Sequence, residues 1–236
     1  MSLIKLKKEL RTFASPAQAK TLAWFFKTGP GQYGEGDIFI GLNNPKMRAL
    51  AKKYSSLNLA DITDLLHSPF HEERQIALFI LVSQFQKGDA KIQKRIYLFY
   101  LKNTRYINNW DLVDLSAHKI VGQYLLTRPK KQNILIKLAR SKNLWKKRIA
   151  IISTAAFISQ KQFTLTFKIA DILLHDDHDL IHKAVGWMLR EVGNRDQKAE
   201  ENFLKTRYKT MPRTMLRYAI EKFPEPLRQA YLKSKT

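Results

Sequence analysis

Residues 144–156 of the chain read LWKKRIAIISTAA, from Leu144 to Ala156. The apolar residues recur at helical spacing: Ile149, Ile152, Ala156 and the following Phe157 fall on one stripe. Three other segments share this character: HEERQIALFILV around Arg74, LIHKAVGWMLRE around Lys183 and MPRTMLRYAIEKF around Arg217. In the first of them Ile76, Phe79, Ile80 and Val82 form the matching stripe. Arg148 follows Arg74 by 74 positions, Lys183 follows Arg148 by 35, and Arg217 follows Lys183 by 34. The first gap is twice 37, and its midpoint, position 111, falls inside NNWDLVD, residues 108–114. The chain therefore reads as an array of helical units with a period near 36.

Two-helix solenoids such as HEAT repeats have periods of roughly 40 residues, somewhat longer than this one. The expected architecture is all-α: a single domain over residues 1–236, an α-solenoid of HEAT-like repeats, C-shaped. The same helix of each unit would line a basic concave face. Glycine usage agrees. Five of the nine glycines fall in GPGQYGEGDIFIG, residues 29–41, and prolines stand mostly at segment edges (Pro16, Pro45, Pro69, Pro129, Pro212). Strand alternation is almost absent, IFI at 38–40 being the one candidate.

Charge narrows the function. Lys and Arg total 42 against 20 for Asp and Glu, a net charge of +22 in a chain that is 44% hydrophobic. A folded domain with this excess repels itself unless a polyanion shares its surface, so DNA or RNA is the leading partner, ahead of an acidic membrane. From Leu115 to Ala170 there is no Asp or Glu, but there are twelve Lys and Arg. No apolar run approaches the ~18 residues of a membrane span. The start MSLIKLKKELRTFA reads as a short amphipathic helix without the apolar core and cleavage site of a signal peptide. The absence of cysteine removes disulfides, thiol catalysis and cysteine-based zinc sites, and fits a cytoplasmic protein.

Three motifs need weighing. Gly29, Gly31 and Gly34 satisfy G-x-G-x-x-G, but the preceding TLAWFFKT is helical in character and Pro30 fills the first gap, so a loop between two helices is the reading. His178 and His182 stand four apart, with His175 nearby; as the cluster HDDHD directly precedes a helix, capping is preferred to zinc ligation. Trp110 and Asp114 are also four apart and share a helix face. Taken alone, that spacing fits a buried tryptophan and an aspartate paired with an arginine. The array, however, puts Arg148 and Trp187 in the equivalent helices of later units, so all four side chains are expected to converge on one patch.

NNWDLVD, LWKKRIA and KAVGWMLRE in this order, with the loop GQYGEGDIFIG, resemble the HEAT-like alkylpurine DNA glycosylases, the AlkD family, over most of the chain. The resemblance implies a bacterial base-excision repair enzyme that hydrolyses the N-glycosidic bond of cationic N3- or N7-alkylated purines, such as 3-methyladenine and 7-methylguanine, in duplex DNA. It implies a hydrolase that leaves the base unflipped and needs no metal or organic cofactor. Asp114, Trp110 and Trp187 match the residues that contact the lesion's deoxyribose, and Arg148 matches one that contacts the backbone. Lys146, Lys147, Lys183 and Arg190 beside them are expected to bind DNA. Asp111 lies in the motif without a catalytic assignment, and Trp24, Phe25 and Phe26 are the aromatic candidates for the N-terminal side. With no lysine placed for a Schiff base, a monofunctional glycosylase acting as a monomer is expected. The competing readings are a non-catalytic DNA-binding protein of the same fold, and a scaffold for RNA or an acidic protein.

Overall fold

The computed structural model describes residues 2–233, and these residues are all-α, with one isolated β-bridge. That bridge pairs Ile38 with Phe70 in parallel, so the IFI candidate contributes a single contact and no strand. The chain divides into two compact units, Met1–Ser116 and Ala117–Thr236. Each of the five repeat segments is largely helical.

The first unit contains α1 (Leu3–Arg11), α2 (Pro16–Phe25), α3 (Asn44–Lys53), α4 (Leu59–Leu66), α5 (His71–Lys87), α6 (Ala90–Lys102) and most of α7 (Trp110–Ala117). Local sequence sets where these helices begin. Ser15, Asn43, Asn58 and Asp89 are N-caps whose side-chain oxygens accept otherwise orphaned amides, and Pro16 and Pro45 sit in the first turns of α2 and α3. The amphipathic start is α1, which buries Leu6 and Leu10 completely. Burying such side chains contributes about 1.5–3 kcal/mol each.

The central helix of this unit, α5, departs from the expected single stripe. Every residue from His71 to Leu78 is buried, as are Ile80, Leu81 and Val82, while Phe79, one of the four stripe residues, is only half-buried under the Arg48 guanidinium. A helix buried all round must satisfy its polar side chains internally. The run HEERQ does so by reaching several elements. Glu73 pairs with Lys7 and Arg11 of α1 at 3.1 and 2.8 Å. Glu72 accepts the amides of Ile40, Gly41 and Leu42, and Gln75 donates to Asn44 of α3. Gly41 is required there. Its φ is +94°, and a Cβ at this position would stand 2.1 Å from the Ser15 carbonyl oxygen.

The second unit contains α8 (Gln123–Leu126), α9 (Asn133–Ala139), α10 (Leu144–Ser153), α11 (Ala155–Ile158), α12 (Thr164–Ile172), α13 (Asp179–Gly193), α14 (Gln197–Leu204), α15 (Arg213–Ala219) and α16 (Glu225–Lys233). The stripe Ile149, Ile152, Ala156 and Phe157 is buried as expected, although a break at Thr154 divides it between α10 and α11. α13 packs on both α10 and α15. A Cβ on Gly186 would lie 2.5 Å from the Met215 carbonyl oxygen, so glycine is what lets α15 approach this closely. No helix of the described residues is long and apolar enough to cross a membrane.

Candidate functional site

Trp110 opens α7, and the residues on either side of it are tied to the same buried pair. Asn109, completely buried, accepts the Trp110 amide at 2.8 Å and donates its own side-chain amide to Asp37 at 3.0 Å. Asp111 accepts the Leu112 amide with one oxygen and His71 Nε2 with the other, both at 2.8 Å. The opposite ring nitrogen of His71, Nδ1, meets Asp37 at 2.9 Å, and Arg74 donates to Asp37 as well. One ring thus joins the glycine-rich loop, α5 and α7.

Burial disfavours a charged His71, but the carboxylates of Asp111 and Asp37 outweigh it and raise the ring to about 9. At neutral pH it is an imidazolium donating both N–H groups. Burial also pushes the Asp37 carboxyl upward, yet His71, Arg74 and Asn109 bring it below the usual carboxylate range. Aromatic rings cover the assembly: Phe39 stacks on His71 at 4.7 Å, and Phe26 stacks on Trp110 at 5.2 Å. Phe25 meets Trp110 edge-on at 6.1 Å. Of the three N-terminal aromatic candidates, then, Phe25 and Phe26 adjoin Trp110 within this unit, while Trp24 is 73% exposed with Lys27 over its ring. A cleft of about 330 Å³ opens beside them, with Phe25, Met47, Gln75, Trp110 and Asp111 among its walls.

Asp114 stands one turn after Trp110 and is half-buried. Its charge adds to the burial that raises the Tyr100 hydroxyl, against the opposing hydrogen bond to Ser116. Tyr100 and Ser116 are joined at 3.0 Å, which fixes α6 against α7 at the level of Asp114.

In the second unit four of the five assigned cations have protein partners. Arg148 is buried at 5% exposure and donates to the Leu180 carbonyl at 2.6 Å, joining α10 to the start of α13. Lys147 pairs with Asp176, Lys183 with Asp179 at 2.7 Å, and Arg190 with Glu221. Lys146 and Trp187 are half-buried. The acid-free run is not without a carboxylate partner in the fold: Asp176, six residues beyond it, pairs with its Lys147. Of these pairs, Lys183–Asp179 is solvated, and such pairs contribute about 0–1 kcal/mol, so phosphate can compete for the lysine.

The histidine cluster caps, as read, but the cap is His178 itself, whose Nδ1 accepts the Leu180 amide at 3.1 Å; Asp179 occupies the first turn. His182 Nε2 is engaged with the Asp176 carbonyl. In the glycine-rich loop, side chains of the loop accept its amides, Gln32 that of Gly29 and Glu35 that of Gly31, both at 2.9 Å. Asp37, His71 and Asn109 escaped sequence reasoning. For His71 the signal was an unusually polar start to an otherwise apolar helix, HEERQ, which names no partner; Asp37 and Asn109 stood inside the glycine-rich loop and NNWDLVD with nothing to mark them.

No curated protein matches the chain closely enough to be compared. Among solved structures, one described as a predicted DNA alkylation repair enzyme from Enterococcus faecalis superimposes with a TM-score of 0.70. The alignment covers 90% of this chain and 97% of that one at 16% identity, a likeness of fold. The family profile described as DNA alkylation repair enzyme matches residues 6–223, nearly the whole length, and takes in α7 with its braced tryptophan and aspartate. The chain belongs to the DNA alkylation repair enzyme family.

Proposed function

We propose that the protein is a monofunctional DNA glycosylase that hydrolyses the N-glycosidic bond of cationic N3- or N7-alkylated purines in duplex DNA, without flipping the base. The observation that carries this reading is a carboxylate, Asp114, one turn from a tryptophan on a helix whose first turn is held by buried charge. An alkylated purine is already cationic. As its bond to C1′ breaks, the electron pair leaves with the base, which departs neutral, and positive charge moves onto the sugar. Asp114 stabilises that oxocarbenium-like state more than the ground state, which is what accelerates the step. Water then bonds to C1′, oriented by the same carboxylate, and its proton passes to Asp114 or solvent. Trp110 contacts the deoxyribose, and its indole face adds about 1 kcal/mol of cation–π attraction. In the second unit, Trp187 is assigned a contact to the lesion's deoxyribose, and Arg148, Lys146, Lys147, Lys183 and Arg190 are assigned to the DNA. These side chains supply contact and charge; no cofactor enters the scheme.

The test is release of 3-methyladenine and 7-methylguanine from methylated duplex DNA by wild type and Asp114→Asn. The variant keeps shape and hydrogen bonding but removes the charge, so single-turnover release should slow by at least ~10²-fold, the scale of one preorganised transition-state contact. Binding of undamaged duplex should hold or tighten slightly. A variant that releases bases at the wild-type rate removes Asp114 from the mechanism. Wild type that binds duplex but releases nothing is instead the non-catalytic DNA-binding protein.

A further inference from the structure

We infer that His71 is the positioning residue of this site: clamped between Asp37 and Asp111, it fixes where α7 begins and hence where Trp110 and Asp114 meet the substrate. The inference rests on the glycosylase reading above and extends it to residues that touch no substrate.

Three arms run from the His71 clamp to Trp110. One goes through Asp111, the next residue, whose carboxylate bridges His71 and the Leu112 amide. The second goes through Asp37 to Asn109, the preceding residue, whose side chain holds the Trp110 amide. The third is aromatic: Phe26 lies 5.0 Å from the His71 ring and 5.2 Å from Trp110, stacked on the indole. A residue held from both sequence neighbours and across one face cannot slide along the helix axis or turn about it without breaking a buried hydrogen bond. Asp114, one turn further on, moves with it.

The glycine-rich loop acquires a role here. It delivers Asp37 and Phe39 to opposite parts of the ring, and Glu72, adjacent to His71, holds the loop by the amides of residues 40–42. The charged groups facing the clamp are Asp37 from the loop, Asp111 from α7, and Arg74 and Glu72 from α5. The Glu72 carboxylate is occupied by three backbone amides of the loop. The charges of Asp37, Asp111 and Arg74 sum to −1 and are balanced only while His71 is protonated. Loss of that proton leaves a neutral ring with a single N–H between two carboxylates, so one carboxylate is left uncompensated and the arm through Asp111 or Asp37 must loosen.

The discriminating experiment combines single-turnover base release across pH 6–10.5 with an NMR titration of the ring, on wild type and His71→Gln. In wild type the ring nitrogens should stay protonated through pH 8, and the release rate should fall on an alkaline limb centred at about 9. In His71→Gln, release per folded molecule should drop by about 10-fold or more while the duplex dissociation constant changes less than about 2-fold, the pattern of misplacement without lost binding. The alkaline limb should vanish. Near-ultraviolet dichroism of tryptophan should change through the same pH window in wild type only. Normal release by folded His71→Gln, an unchanged limb in it, or a neutral ring at pH 7 would overturn the inference. Should the variant fail to fold, Asp37→Asn, which weakens the clamp without removing it, must shift the limb to lower pH. Wild type that shows the ring and dichroism titrations but no base release overturns the glycosylase reading and leaves the clamp.

Discussion

A buried charge is an energetic decision made one residue at a time. His71 is charged because two carboxylates overcome its burial; Glu200 on α14 is the opposite case. Burial is the main influence on Glu200, neighbouring Glu201 adds to it, and Arg190 does not offset them, so the carboxyl is pushed up to about 9. The unfolded chain ionises this group near 4.5, whereas the folded chain keeps the proton, so folding stability falls as pH rises from 4.5 towards 9. Glu200→Gln removes that slope. At pH 8 the variant should be more stable by up to about 5 kcal/mol, or roughly 10–20 °C in Tm, with no gain at pH 4. Equal melting temperatures at pH 8 would show that Glu200 is ionised and paired. His71 also contributes stability that is complete below 6.5 and lost through about 9, so the comparison must be made on a wild-type His71 background.

Among the helices, the second unit shows how one side chain can hold the scaffold and still stand where DNA is expected. Arg148 ties α10 to α13 through the Leu180 carbonyl, at the end of α13 that leads to Lys183 and Trp187. Arg148→Ala should therefore lower Tm by about 4–12 °C, from loss of a buried charged hydrogen bond worth roughly 2–3 kcal/mol, besides weakening duplex binding. Lys146→Ala, two residues earlier at a half-buried position, serves as the reference and should weaken binding with Tm unchanged within about 1 °C. If the two variants lose binding equally and neither loses stability, Arg148 is a phosphate ligand and not a tie.

Across the whole molecule, the +22 charge is expected to govern affinity for DNA. With about six phosphates contacted, the slope of log K against log salt should be near −5, since each contact contributes roughly −0.9. A slope shallower than about −2 between ~50 and ~200 mM salt would mean that the internal pairs Lys147–Asp176, Lys183–Asp179 and Arg190–Glu221 persist in the complex and withhold those cations from DNA.

The all-α class, several helix starts and the basic character were determined by the sequence itself. Ser15-Pro16, Asn43 with Pro45, Asn58 and Asp89 act within three residues of themselves, so caps are legible without any fold. The same is true of the buried stripe in α10 and α11, and of Trp110 and Asp114 sharing α7. Partnership was not legible. His71 meets Asp37 and Asp111 across 34 and 40 residues, and Lys147 meets Asp176 across 29. Burial all round the start of α5 likewise depends on what surrounds it, which is why the stripe Ile76, Phe79, Ile80 and Val82, buried at three of its four positions, did not reveal that the polar residues His71–Gln75 are buried too. Helix propensity and capping are settled by neighbours in the chain. Which carboxylate neutralises a buried ring is settled by desolvation, and desolvation exists only once distant elements have packed together.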